Sequence, residues 1–435
     1  FLISILLISG NLFVPSGLSD QYDQSYDPLD DEIMDMFSSI DIPLLQDLME
    51  GLLAFGPRPI HDPNCSKAAA YIYDHFERFG LKAEYQDWSF PLYKGTNVVA
   101  TLPGTNTESD AVFIISAHYD TVKDSPGAID DGSGVVAMMA IAQVLSSYSF
   151  DHTIKFIAFS GEEVGAHGSY AYAKKAYEAH ENIKAVLNLD MIGYTLYNGT
   201  SVYASFGDRS LWIFDALRFI AQQYNDQLDL SVHRLIEFPA DERSFRDMGF
   251  DGVLIIEESI FDHGSVWNNK NDTIDKVNYG YLEKITKLVL ATTASLSDKD
   301  IPVQISIISP SENMIYLGER PIAPLPGFNI RRTPLRGITY ILGSSTVKVN
   351  ITTDEKIDLI YFLLDDRVMG IVRDPPYECR IRSHWNYDCF PLFGKHRIRV
   401  YVCTQKQQTA IDEMDIFIIK PFPSKVDLSL KGHRD

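Results

Sequence analysis

Residues 118–134 read HYDTVKDSPGAIDDGSG, one histidine and four aspartates closed by the small residues GSG. The run before them, AVFIISA, is apolar or small throughout and predicts a buried strand. The segment that begins at the closing glycine, GSGVVAMMAIAQVLSSY, carries small and apolar residues and predicts a helix. The acidic stretch therefore lies between the carboxyl end of a strand and the start of a helix. In an open α/β sheet that edge is where ligands bind.

The same strand–helix unit repeats outward. TIKFIAFS, IKAVLNLDM and GVLIIEES read as further strands, alternating with helices in HGSYAYAKKAYEAH, SLWIFDALRFIAQQY and YLEKITKLVLATTASL. Upstream, PLLQDLMEGLLAF and SKAAAYIYDHFERFG have apolar residues at three and four spacing, each ending near a glycine. The alternation predicts an α/β domain with a mostly parallel sheet and helices on both faces. After Asp300 prolines cluster in IPVQISIISPSEN and RPIAPLPGF, and helical periodicity disappears. STVKVNITT, KIDLIYFLLDDRVMG, HRIRVYVCTQ and MDIFIIKPF read as short strands, the pattern of an immunoglobulin-like β-sandwich. The expected limits are 40–300 for the α/β domain, 301–425 for the sandwich and 426–435 for a tail.

At 435 residues the chain exceeds one ordinary core, in keeping with two domains. Its formal net charge of −21 argues against nucleic acid and anionic membrane surfaces, which repel it, and favours cations. Residues 1–20, FLISILLISGNLFVPSGLSD, resemble the apolar region and cleavage zone of a signal peptide truncated at its start. Residues 21–39 follow as an acidic leader, so a secreted or cell-surface protein is expected. No later segment has the length and apolarity of a transmembrane helix. Cys65, Cys379, Cys389 and Cys403 form no C-x-x-C pair, which argues against a thiolate zinc site. In an exported protein one disulfide among the last three is expected. N-x-S/T sequons at Asn64, Asn198, Asn271 and Asn350 are compatible with export.

Three consecutive units send acids to one sheet edge. His118, Asp120, Asp130 and Asp131 follow the first strand, Glu162 and Glu163 the second, and Asp190 the third. Histidine nitrogen and carboxylate oxygen suit divalent zinc, and a bridging carboxylate lets two cations sit close together. The H-x-D spacing lets Asp120 accept the second ring N–H of His118 and fix its tautomer. In the Glu162–Glu163 pair, one carboxylate binds metal while its neighbour serves as general base toward an attacking water. Buried like charges of this number need a cation.

Taken together, HYD, GAIDDGSG, FSGEEVG and NLDMIG resemble the zinc aminopeptidase family typified by bacterial leucyl aminopeptidase, metallopeptidase family 28. They are also similar to carboxypeptidases and glutaminyl cyclases on the same fold. The similarity runs through residues 40–296 and includes GPRPIHDPNCSKAAAYIYDHFERFGLKAEYQDW and NDTIDKVN. The resemblance implies two zinc ions bridged by Asp130, with His118 and Asp190 completing one site. Glu163 belongs to the other, and Glu162 is the base. DDGSG keeps the second aspartate that a glutaminyl cyclase usually lacks.

One departure stands out. The family's last ligand is a histidine four residues before the aspartate of a D-T pair; here Asn268 holds that place before Asp272. Either His263, in FDHGSVW, substitutes from a rebuilt loop, or Asn268 leaves one metal weak or absent. Likewise ADERSF keeps Asp241 but has Glu242 where relatives carry a histidine. Asp241, Glu257 and Glu258 are candidates for binding the substrate ammonium. His167 reads as a helix-start residue, and His61, His152 and His180 as surface residues. The expectation is an exported metallo-aminopeptidase acting on peptides. The alternatives are a glutaminyl-peptide cyclase with one zinc and a non-catalytic binding protein that has lost a metal. No partner of the sandwich is legible.

Overall fold

The computed structural model describes residues 29–235, 238–261, 266–298, 303–311, 314–324, 338–353, 356–365, 367–381, 394–405 and 409–419. The chain divides into two compact units, Phe1–Ser39 and Ile40–Asp435. In the first, Leu29–Ser38 is a helix within the stretch read as an acidic leader. The segment read as a signal peptide, residues 1–20, lies outside the described residues, as does the tail.

In the second unit, eight described strands form one sheet. They are β1 (Lys82–Ser89), β2 (Lys94–Leu102), β3 (Val112–His118), β4 (Thr153–Phe159), β5 (Ile183–Leu189), β6 (Ser201–Phe206), β7 (Ser231–Leu235) and β8 (Gly252–Glu257). Their order is β1-β2-β4-β3-β5-β8-β6-β7. The central block β4-β3-β5-β8 is parallel. The pairs β1/β2, β2/β4 and β6/β8 are antiparallel, so the sheet is mixed around a parallel centre. Every residue of β3, β5 and β8 is buried, as befits strands covered on both faces. β1 mixes charged, polar and apolar residues at the sheet edge, where most of its side chains meet water, and so its sequence does not look like a core strand.

β3 lies between β4 and β5, the next two strands in the chain, so consecutive connections leave it in opposite directions. That is a topological switch point, and a crevice opens at the carboxyl ends of such strands. Phe76 of the helix Pro63–Arg78 packs against Phe156 on one face of the sheet, ring centroids 6.3 Å apart. On the other face Tyr172, Ala173 and Ala176 of His167–Glu178 join Phe245 over Val99, Val112, Ile114, Ile157 and Phe159. The helix Gly132–Leu145 starts at the switch point and is almost wholly buried. Its third residue has to be glycine: a Cβ on Gly134 would stand 2.5 Å from the Asp131 carboxylate and 2.6 Å from the Leu189 carbonyl.

The helix Tyr279–Asp298 ends the α/β part, and a β-rich region follows. Its strands are β9 (Gln304–Ser309), β10 (Met314–Leu317), β11 (Arg320–Pro324), β12 (Thr339–Leu342), β13 (Ser345–Thr352), β14 (Ile357–Leu364), β15 (Arg367–Val372), β16 (Glu378–Ile381), β17 (Gly394–Thr404) and β18 (Thr409–Ile419). Among the described residues, one sheet runs β11-β10-β12-β18-β17-β14-β15 and a second β16-β13-β9. Ile305, Val347 and Ile381 from the small sheet share a core with Phe362, Val400 and Ile416 from the large one. Cys389, one of the three cysteines expected to share a disulfide, lies outside the described residues. Arg209 ties the two regions together: its Nε lies 3.2 Å from Asp251 Oδ1 and 3.3 Å from Asp412 Oδ1 on β18.

Candidate metal centre

His118 is the last residue of β3, and Asp190 follows the last residue of β5 beside it. Asp130 comes from the loop between β3 and the buried helix. Nε2 of His118 lies 3.2 Å from Asp130 Oδ1 and 3.6 Å from Asp190 Oδ1. One ligand atom from each of the three falls within 4.8 Å of the others, and all three residues are buried. Burial disfavours the His118 imidazolium, but Asp190 and Asp130 outweigh it and raise the pKa well above the usual value.

Asp131 organises this corner. Its Oδ1 accepts the N–H of Gly134 (2.9 Å), capping the helix, and that of Met191 (3.2 Å). Its Oδ2 accepts the N–H of His118 (3.2 Å). One buried carboxylate thus joins the helix start to the ends of β3 and β5. The Asp130–Asp131 peptide bond is cis. Asp272 fixes the other side of the loop, accepting from Ile129 N–H at 2.7 Å and Asp130 N–H at 3.1 Å. Arg58, fully buried, donates to the carbonyls of Tyr119 (2.8 Å), Pro126 (2.8 Å) and Gly127 (3.0 Å). Burial lowers its pKa to about 10. Sequence reasoning assigned none of these three a role. The available signals were weak: an arginine between two prolines, a helix-capping aspartate and an N-D-T turn.

Asp120 supports the second strand end. Its carboxylate accepts Glu162 N–H at 3.2 Å and Glu163 N–H at 3.4 Å. The expectation that it also takes the His118 ring N–H needs correction. Nδ1 lies 3.1 Å from the Asp120 carbonyl and 3.8 Å from its carboxylate. The carbonyl holds that ring nitrogen, which still leaves Nε2 to face Asp130 and Asp190; the carboxylate is used for the Glu162–Glu163 turn.

Glu162 and Glu163 sit in the turn after β4 and stay partly exposed. Burial, then repulsion from Asp241, Asp190 and Glu163, raises Glu162 well above the usual carboxylate range. Burial and Asp130 push Glu163 up to about 9. Glu163 Oε1 accepts the N–H of Val122 at 3.2 Å. The Asn268 side-chain nitrogen, with the amide turned to suit its surroundings, donates to both Glu163 oxygens at 3.2 Å. Asn268 therefore does stand beside Glu163. His263 lies outside the described residues.

The candidates for binding an ammonium group divide. Asp241 is fully buried and pushed up to about 7, first by burial and also by Asp120 and Asp190. Glu242 pairs with Arg246 at 3.4 Å. Glu257 is fully buried and accepts Tyr194 N–H at 2.6 Å. Glu258 accepts from the Thr195 hydroxyl and from Gly199 N–H at 2.9 Å, so it braces the 195–199 loop. Val266 and Trp267 pack against a cluster that includes Ile129, Met191 and Ile256. His167 opens its helix and stacks on Phe90 at 4.8 Å. His61 and His180 are exposed, but His152 is buried with Nδ1 2.7 Å from the Ser109 hydroxyl. A polar partner let an aspartate-flanked histidine go inside.

A divalent cation fits the cluster. His118 Nε2 and Asp190 Oδ1 are buried and form no hydrogen bond with any of the described residues, although each lies close to other ligand atoms. Such atoms carry the full desolvation cost unless something binds them. One imidazole and two carboxylates make a ligand set suited to zinc.

Comparison with known proteins agrees. Residues 97–293 match the model of Peptidase family M28. A "Probable zinc metalloprotease" of Pyricularia oryzae is 31% identical over 258 residues, covering 48% of this chain and 51% of that protein. "Aminopeptidase YwaD" of Bacillus subtilis is 28% identical over 217 residues, 49% of this chain and 47% of that one. The chain spans about half the length of these curated relatives. Among solved structures, the aminopeptidase from Aneurinibacillus sp. strain AM-1 superposes with a TM-score of 0.55 at 16% identity, covering 62% of this chain and 97% of that one. That likeness shows the shared fold.

Proposed function

We propose that the family M28 peptidase domain of this chain is a zinc-dependent aminopeptidase, releasing the first residue of peptides with a free amino terminus. The observation that carries this is the convergence of His118, Asp130 and Asp190, with unsatisfied Nε2 and Oδ1 atoms, beside the Glu162 turn. A zinc ion held there would polarise the scissile carbonyl and lower the pKa of an attacking water. Glu162, in the turn beside these ligands, would take the proton of the attacking water and hand it to the leaving amine. Asp120 holds the Glu162 backbone in place through the N–H it accepts. Asp241 and Glu257, buried carboxylates, are proposed to meet the substrate ammonium, and Glu258 acts only by bracing its loop.

Secretion through residues 1–20, the limits 40–300 and 301–425, and an immunoglobulin-like fold for the β-rich region complete the proposal. Its support is the apolar start of the sequence, the end of the helix Tyr279–Asp298, and the two sheets sharing one core. The partner of that region is unassigned. No helix among the described residues is long and apolar enough to cross a membrane. The cyclase and the non-catalytic binder are not favoured by the relatives found.

The test uses the purified full chain and short unblocked peptides. Free N-terminal residues should appear, N-acetylated peptides should stay intact, and a chelator should stop the reaction until zinc is returned. Cleavage of blocked peptides at internal bonds, or turnover indifferent to the chelator, would refute the aminopeptidase.

A further inference from the structure

We propose that this centre holds one cation tightly, through His118, Asp130 and Asp190, and that the Asn268 amide stands in for a second cation as the partner of Glu163. The inference rests on the metallopeptidase reading above and defines its metal content.

The two halves of the centre are satisfied differently. On the His118 side, a ring nitrogen and a carboxylate oxygen are buried without a hydrogen bond, within 4.8 Å of a third ligand. No group among the described residues hydrogen-bonds to them, and a neutral imidazole with two carboxylates matches the charge of a divalent ion. On the Glu163 side the protein has completed the set. Val122 N–H donates to Glu163 Oε1 at 3.2 Å, and the Asn268 amide, turned so that its nitrogen faces the carboxylate, donates to both Glu163 oxygens at 3.2 Å. Among the described residues, Glu163 joins no further group of histidine, cysteine, aspartate or glutamate side chains with ligand spacing.

Placing a cation on Glu163 would break those donations, with a neutral amide oxygen from Asn268 offered in their place. Such an oxygen is a weak zinc ligand beside imidazole or carboxylate. The contact is also anchored. Asp272, four residues after Asn268, holds the backbone of Ile129 and Asp130, so the Asn268 turn and the Asp130 loop are fixed to each other.

The experiment strips the full chain with a chelator and titrates it with zinc by calorimetry, with metal analysis after gel filtration. Cobalt(II) serves as a visible probe of coordination. About one tight equivalent per chain is expected, with any second at least about a hundredfold weaker. Glu163→Gln should leave the tight equivalent in place, Asp190→Asn should abolish it, and Asn268→His should add a second with a new cobalt band. Two tight equivalents in the unaltered chain would overturn the inference, with His263→Ala then showing whether His263 supplies the ligand. So would loss of tight binding in Glu163→Gln, or a folded Asn268→His chain, checked by its melting curve, that still binds one. Peptide hydrolysis is measured on the same one-zinc preparation. Inactivity there counts against the aminopeptidase and not against the stoichiometry.

Discussion

Acids in the two regions of this chain keep opposite company. At the carboxyl ends of β3, β4 and β5, Asp190, Glu162 and Glu163 crowd together, and burial drives all three pKa values up. On β17 and β18 each acid has a cation beside it. Arg399 Nε donates to Glu413 at 2.8 Å, Arg397 Nε to Asp415 at 2.9 Å, and Lys395 Nζ lies 2.7 Å from Asp415. Burial would raise Asp415 too, but Arg397 and Lys395 outweigh it and hold its pKa below the usual range. The same residue type titrates in opposite directions because one region supplies its own countercharge and the other leaves that to a ligand. Perturbed acids without a protein cation beside them are where chemistry is to be sought; acids paired with cations on a sheet face are architecture.

That contrast breaks most directly at Asp130. Asp130→Ala should lose the tight zinc and bring peptide hydrolysis down to background, read by metal analysis and product release. Zinc retained at full affinity would mean that the cluster of crowded acids is not a ligand set. Next in size, Glu162→Gln should keep the zinc while turnover drops at least about a hundredfold, the usual scale for loss of a general base. Near-normal turnover would place the base elsewhere.

Acidity sharpens the comparison further. Burial pushes Glu242 up to about 8, Asp241 to about 7 and Asp272 to about 6. In the folded, stripped chain these carboxyls keep protons that the unfolded chain has released. The folded state binds more protons, so stability falls as pH rises from about 4 to about 8. Zinc needs deprotonated ligands, so the stabilisation it adds should grow over the same range. The melting temperature of the stripped protein should therefore fall as pH rises, and the gap to the loaded protein should widen; a stripped protein whose stability stays flat from about pH 4 to 8 would show that the buried acids titrate normally. The smallest effect is expected in the paired region. Arg399→Ala should cost about 1 kcal/mol or less in denaturant melts, the scale of a partly exposed ion pair, and leave hydrolysis unchanged. A collapse of activity there would make the two regions functionally one.

How much of this was legible beforehand differs between elements. β3, β5 and β8 announce themselves as apolar runs because both faces are covered. β1, β2, β6 and β7 were missed. Polar residues interrupt their apolar runs, and these strands extend the parallel block of the expected mostly parallel sheet, with antiparallel pairs at β1/β2, β2/β4 and β6/β8. At the site, the types and spacing of His118, Asp130, Glu162, Glu163 and Asp190 pointed to metal chemistry from the start, whereas the role of Asp120 was only half visible. A two-residue spacing suggests a carboxylate–imidazole contact, but backbone direction gave that ring nitrogen to a carbonyl.

What the linear chain determined by itself was the delivery of acids to strand ends. Periodicity and apolar runs are local properties, and three strand–helix units in succession need no long-range information to place their carboxyl ends on one edge. What only the tertiary structure decided was which groups close around those acids. Arg58 on the Tyr119–Gly127 carbonyls, Asp131 across the ends of β3 and β5, Asp272 behind Asp130 and Asn268 against Glu163 join segments far apart in the chain. A hydrogen bond depends on direction and on a few tenths of an ångström, and packing sets both only after the sheet has formed.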